Sequence, residues 1–249
     1  MLPFLLRSVT DAFLFHPTRG QAATPADVGI PYDELWLTAD DGVRTQAWWM
    51  PGPPGSICVL GFHGNAGTMA DRLGHLKPLH ALGVSVLAAE YRGYGDSEGR
   101  PSEEGLARDA RAALEEARRR CARVVVHGRS LGGAVAIRLA SELPVDGLIV
   151  ESTFTTLQEM AARSSIPLAT HLVAYEFPSV ERIRSVTAPT LVVHGARDEL
   201  IPLEMGQRLV EAAGGPTSWL EVPGGTHSDT WLRGGDAYWG AVAGFLGGL

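Results

Sequence analysis

Cysteine is nearly absent, basic residues are in deficit, and no long apolar run occurs. The two cysteines in 249 residues, Cys58 and Cys121, both fall at predicted strands and lack metal-ligand spacing. They read as small buried hydrophobes, with a disulfide between them allowed but not required. Lys and Arg number 21 against 28 Asp and Glu, a net charge of −7, and no stretch concentrates positive charge. That balance excludes nucleic acid as an expected partner. No segment reaches about eighteen uninterrupted apolar residues, so no transmembrane helix is expected. What is present is ordinary for a folded chain: 45% hydrophobic and 20% charged residues, enough to bury a substantial core and to exclude wholesale disorder.

Residues 1–31 read as an amphipathic segment followed by a connector. Leu2, Leu5, Leu6, Val9 and Phe13 share one helical face, interrupted by Arg7 and Asp11. With no basic leader and no small-residue cleavage site, the segment is a poor signal peptide. The expectation is a helix packed on the domain of a cytoplasmic protein. The alternative is peripheral membrane contact through residues 1–15, helped by Phe4, Phe13, Leu14 and Phe15. Residues 32–249 then form one domain. Leu35-Trp36-Leu37 and Gln46 to Met50 flank Asp40-Asp41-Gly42, a hairpin signal. From Ile57 onward strands alternate with helices, and Ser102 is placed to cap a helix with Glu103 and Glu104 in its first turn. An antiparallel hairpin followed by β/α units predicts a doubly wound, mostly parallel sheet with helices on both faces. The rhythm breaks over about 152–188, where two short helices would make a lid. Its Leu157, Met160 and Leu172 would line an acyl pocket, or merely seal the core. The oligomeric state is not fixed by the sequence.

The chain is organised around Val124-Val125-Val126-His127-Gly128-Arg129-Ser130-Leu131-Gly132-Gly133. An apolar strand, a Gly-x-Ser-x-Gly turn and a helix follow in the order a nucleophile elbow needs. A serine lifted out of a sheet at such a turn takes a strained conformation, and its neighbours two positions away must be almost without side chain. Three further polar motifs follow predicted strand ends, where the chemistry of such sheets collects. His63-Gly64-Asn65-Ala66-Gly67 could turn a backbone N–H toward the serine, so the N–H groups of Asn65 and Leu131 are candidate oxyanion donors. Asp198, after the strand Thr190–Val193, could hold a histidine in the right tautomer, with Glu199 as the fallback acid. His227, in the Gly-rich loop after Thr217–Val222, is the candidate general base. Of the remaining histidines, His127 and His194 end strands and read as structural, His63 shapes its turn, and His75 and His80 sit on a surface helix. No metal site and no cofactor are expected. Arg129 suggests an anion binder but reads as surface. The glycines of Tyr91–Gly99 lack the following Gly-Lys-Ser/Thr of a phosphate cradle and read as a tight structural turn.

Ser130, Asp198 and His227, in that chain order and each past a strand end, resemble the α/β-hydrolase superfamily. Phe62 to Gly67, Tyr91 to Gly99, Gly128 to Gly133 and His194-Gly195-x-x-Asp198-x-x-Ile201-Pro202 narrow the resemblance. They are similar to small serine hydrolases related to protein depalmitoylases and serine-aminopeptidase-like hydrolases. The resemblance spans roughly Trp36 to the end. It implies Ser130 as nucleophile, His227 as base, Asp198 as its orienting acid, and Asn65 and Leu131 as oxyanion donors. The implied reaction is cofactor-free hydrolysis of a carboxylic ester or thioester, on a small-molecule or acyl substrate. Amide or peptide cleavage is the rival within the class, and a non-catalytic binding protein on a hydrolase fold is the rival outside it. The chain departs from many such relatives in two ways: only a short amphipathic segment stands where they carry a membrane anchor, and no cysteine cluster sits at the amino terminus.

Overall fold

The computed structural model describes residues 11, 14–163, 170 and 173–249. Most of the amino-terminal amphipathic segment and Leu172 therefore lie outside the described residues. The strands are β1 Asp33–Thr38, β2 Arg44–Met50, β3 Cys58–Phe62, β4 Ser85–Ala89, β5 Val124–Arg129, β6 Gly147–Glu151, β7 Thr190–Gly195 and β8 Thr217–Val222. They form one eight-stranded sheet in the order β8-β7-β6-β5-β3-β4-β2-β1. β1 pairs antiparallel with β2, and β2 antiparallel with β4. The other five pairings are parallel. The hairpin turns where the sequence places it: Gly42 takes φ 83°, and its N–H donates to the Ala39 carbonyl.

The helices are α1 Leu73–Ala81, α2 Glu103–Arg120, α3 Leu131–Glu142, α4 Leu157–Ala162, α5 Ser179–Arg182, α6 Leu203–Ala212 and α7 Thr230–Gly247. Helix α2 starts at its expected cap, with Ser102 Oγ accepting the Gly105 N–H at 3.0 Å. The period-two pattern of β5 divides the core. Val124 and Val126 face a layer that holds Leu106 and Leu114 of α2 and Ile137 of α3, whereas Val125 faces a layer with Leu76 of α1 and Val242 of α7. Apolar side chains on both faces are what a parallel sheet covered by helices on both sides requires.

Two expectations shift. Cys121 is not in a strand but caps the carboxyl end of α2. Both thiols are free, and the Cys58 and Cys121 side chains share a hydrogen bond that pushes the buried Cys58 thiol up and lowers Cys121 to about 7. His75 is not on an open surface. It lies among His127, Tyr238 and Trp239, with ring centroids 5.2 Å from His127 and 5.3 Å from Trp239. Helix α7, from the far end of the chain, closes over that side of α1, which no local pattern reveals.

Where the amino-terminal segment enters the described residues, it packs on the domain. Phe15 is buried and meets the Tyr175 ring edge-on at 5.8 Å. His16–Pro17 then pairs parallel with Ala66–Gly67. Among the described residues, no helix is long and apolar enough to cross a membrane. In the inserted region α4 is capped by Thr156, whose hydroxyl accepts the Glu159 N–H at 3.1 Å. Leu157 and Met160 are half-buried against the core layer that includes Phe154, Tyr175 and Phe177.

Candidate active site

Ser130 stands between β5 and α3 with φ 54° and ψ −120°, a left-handed conformation that an L-residue adopts only under constraint. The constraint is visible in its neighbours. A Cβ added to Gly128 would lie 2.1 Å from the Gly132 carbonyl oxygen, and one added to Gly132 would lie 2.2 Å from that of Phe62. Backbone packs on backbone at both positions, so both must be glycine. The Ser130 N–H donates to the Glu151 carbonyl of the neighbouring strand at 2.9 Å, which fixes the turn to the sheet.

Loops after β7 and β8 bring the acid and the imidazole to this serine. His227 Nε2 lies 3.1 Å from Ser130 Oγ. On the other side of the ring, Nδ1 lies 2.9 Å from Asp198 Oδ2 and 3.1 Å from Oδ1. Asp198 Oδ1 also accepts the Leu200 and Ile201 N–H groups at 3.0 and 2.8 Å. Burial pushes the Asp198 carboxyl up, but the hydrogen bonds from His227 and from these amides outweigh it and leave it below its ordinary value. An ionised acid facing Nδ1 holds the proton there, which leaves Nε2 free to accept from the serine. Glu199 meets the backbone and not the imidazole: its Oε2 accepts the backbone N–H of His227 at 3.2 Å. His194 is structural, donating Nε2–H to the Ile201 carbonyl at 2.9 Å.

The turn after β3 is strapped from several sides. His63 Nε2 lies 2.5 Å from Glu90 Oε1, with both side chains buried. Tyr91 OH donates to the His63 carbonyl at 2.7 Å, and Tyr94 OH to the Asn65 carbonyl at 2.8 Å. The Asn65 side-chain amide donates to the Leu14 carbonyl at 3.0 Å. The Tyr91–Gly99 loop is thus a structural turn whose rings hold the segment bearing Asn65. Leu131, the first residue of α3, has no intrahelical acceptor for its N–H. A Cβ added to Gly64 would stand 3.5 Å from Ser130 Cβ, an ordinary contact, so this turn lies directly against the serine.

Sequence reasoning missed a buried ionic cluster directly behind the serine. Glu151 ends β6 fully buried, in register with Arg129 of β5. Its carboxylate accepts the Thr230 hydroxyl and, at 2.8 Å, the Tyr238 hydroxyl. Arg129 Nε lies 3.6 Å away and His127 Nε2 3.5 Å away. Arg129 is not surface: its side chain is 16% exposed, and Nη2 donates to the His227 carbonyl. The signal available was opposite charges closing two adjacent strands that are otherwise almost wholly apolar. Nearby, between the sheet, α1 and α7, lies a cavity of about 150 Å³ bordered by Gly64, His127, Arg129 and Ser228. Leu157 and Met160 are not among its lining residues.

The chain has relatives among known proteins. Residues 57–170 match the model of an alpha/beta hydrolase family. The alpha/beta hydrolase domain-containing protein WAV2 of Arabidopsis thaliana is 35% identical, over 90% of this chain and 81% of that one. An uncharacterized protein of Mycobacterium tuberculosis is 39% identical, over 94% of this chain and 85% of that one. The solved structure of the Pyrococcus furiosus esterase Pf2001 superposes with a TM-score of 0.81, covering 94% of this chain and 97% of that chain at 21% identity, a likeness of fold.

Proposed function

The chain belongs to the alpha/beta hydrolase family, and within it we propose a serine hydrolase that cleaves carboxylic esters or thioesters through an acyl-enzyme. The observation that carries this reading is the unbroken hydrogen-bonded line from Ser130 Oγ through His227 to Asp198. His227 Nε2 takes the hydroxyl proton as Oγ attacks the carbonyl carbon, and the imidazolium that forms faces the ionised Asp198. The negative charge on the tetrahedral oxygen is met by the N–H groups of Asn65 and Leu131 and by the amino end of α3. Collapse expels the alcohol or thiol, which leaves with the proton from His227. Water, activated by the same nitrogen, then attacks the acyl-serine and releases the acid. The esterase described for the structurally similar Pyrococcus protein is consistent with this chemistry.

The test is hydrolysis of p-nitrophenyl esters from acetyl to palmitoyl, together with fluorophosphonate labelling, for the native protein and Ser130→Ala. The expected result is a rate and a label that both vanish in the variant, with an optimum along the series that sizes the acyl site. Turnover of aminoacyl anilides in preference to esters would move the activity to amide bonds. Full activity in Ser130→Ala would sink the mechanism, and an unlabelled, inactive native protein would favour a binding role.

A further inference from the structure

The cavity behind the serine is bordered by two guanidinium groups. Arg72, at the start of α1, and Arg129, at the end of β5, both border it, with His75 and His127 beside them. Arg72 Nη2 donates to the Ala66 carbonyl at 2.5 Å, and Arg129 Nη2 to that of His227. The Nε atoms of both arginines, and Nε2 of His127, are buried without a hydrogen bond among the described residues. Arg129 Nε and His127 Nε2 face the Glu151 carboxylate at 3.6 and 3.5 Å, whereas Arg72 Nε has neither a hydrogen bond nor an ion pair among the described residues. A buried donor left unmade is costly, so Arg72 Nε marks a place for an acceptor that comes from outside the chain.

The acids nearby are largely engaged. Glu151 accepts from Thr230 and Tyr238. Asp71, which also lines the cavity, accepts the Thr68 N–H at 2.8 Å, and Glu90 is paired with His63. The electrostatics agree with the geometry. Burial and then the charge of Arg129 lower the basicity of Arg72. Burial and then His127 lower His75 to about 3, with Arg129 and Arg72 acting in the same sense against Glu151.

We propose that this cavity seats the anionic end of the substrate: the ester or thioester attacked by Ser130 carries a compact carboxylate or phosphate, held between Arg72 and Arg129. The proposal rests on the serine-hydrolase reading and specifies its substrate class. The walls of the cavity abut the reacting centre. Gly64, a wall of the cavity, faces Ser130 Cβ, while Arg129 and Ser228 are chain neighbours of Ser130 and His227. A volume of about 150 Å³ takes a carboxylate or a phosphate but not a long acyl chain. Two guanidinium groups suit such oxygens through paired, charge-assisted hydrogen bonds. His75, His127 and Glu151 also approach closely enough to suggest a metal site. Arg129 beside Glu151 and the engaged carboxylate oxygens make that corner a poor home for a cation.

The experiment compares p-nitrophenyl hydrogen succinate with its neutral near-isostere p-nitrophenyl valerate, and 3-carboxy-4-nitrophenyl acetate with p-nitrophenyl acetate, at low salt. Each is run on the native protein, Arg72→Gln and Arg72→Lys. The expected result is a kcat/KM roughly 10- to 100-fold higher for one anionic ester of a pair, expressed mainly in KM, as charged hydrogen bonds give. Arg72→Gln should lose that preference, read as the ratio of kcat/KM for the anionic ester to that for the neutral ester in the same variant, and Arg72→Lys should retain part of it. Which pair shows the effect tells whether the anion lies on the acyl or the leaving side. Equal turnover of anionic and neutral esters overturns the proposal.

A binding arm, thermal stabilisation of Ser130→Ala by inorganic phosphate or succinate, separates this failure from that of the hydrolase reading. A native protein that cleaves no ester, while phosphate stabilises Ser130→Ala unless Arg72→Gln is added, keeps the anion site and loses the catalytic role. Stabilisation by zinc and not by phosphate replaces the anion with a metal and overturns the proposal.

Discussion

Ser130 holds a backbone conformation that costs an L-residue on the order of 1–3 kcal/mol, and the packing around it must over-determine the turn for it to persist. Gly128 and Gly132 do this by letting the elbow collapse onto the Phe62 strand end. Gly128→Ala would drive a methyl into the Gly132 carbonyl, an atom that cannot swing away as a side chain would. We expect a loss at or above the usual ~1–3 kcal/mol of overpacking, read as a lower urea midpoint, with fluorophosphonate labelling lost in the same protein. Asp198→Asn tests a different property of the site. The amide oxygen can still accept from Leu200 and Ile201, but its NH2 group, turned toward Nδ1, stabilises the wrong tautomer. The expected outcome in ester assays is a fall in kcat of roughly 10⁴-fold with KM little changed.

Among the elements, the strand ends are where sequence and site correspond. Each of the four motifs is short, local and tied to one β/α junction. Glycine spacing, turn chemistry and strand composition therefore suffice to place Ser130, Asp198, His227 and Asn65 near one sheet edge. What joins those junctions is not local. Glu90 follows β4 and reaches across to the turn after β3, accepting from His63, from Gln21 and from the Met69 N–H. Arg129, Glu151, Thr230 and His75 come from four elements, and only the finished packing of α7 over α1 and β5 makes them neighbours. A sequence pattern can suggest the Arg129–Glu151 register but not the hydroxyls that satisfy it. The Glu90 strap gives a prediction at this scale. Removing the Glu90 carboxylate leaves the buried donors of His63, Gln21 and Met69 without their acceptor, at about 1–3 kcal/mol for each one left unsatisfied, so Glu90→Ala should lower the midpoint of denaturant unfolding. Ester turnover should fall as well, because the segment bearing the Asn65 N–H loses its anchor. Unchanged turnover in a folded variant would show that Tyr91 and Tyr94 hold that segment unaided.

For the molecule as a whole, these buried groups set how stability responds to acid. Burial opposes the charged form of Glu90 and of Glu151, yet His63 and its hydrogen bond hold Glu90 below its ordinary 4.5, and His127 with Arg129 does the same for Glu151. A carboxyl with a depressed folded pKa contributes stability that is complete above its ordinary value and lost as pH falls toward the folded one. These two groups therefore act below about pH 4.5. His75 acts earlier. Burial, then His127 and the two arginines, lower it from 6.5 to about 3, so between those values the unfolded chain binds a proton that the folded one refuses. Stability must decline with acid through that window also, beginning near 6.5. The melting temperature should thus sag as pH falls from about 6.5 and steepen below 4.5. His75→Gln, which keeps a polar partner for the Tyr238 hydroxyl but cannot titrate, should remove the first stage and leave the second. Scanning calorimetry from pH 3 to 8 reads both. Curves for native protein and variant that stay parallel between pH 6.5 and 4.5 would mean that His75 takes up its proton in the folded state, with the cavity open enough to solvate it.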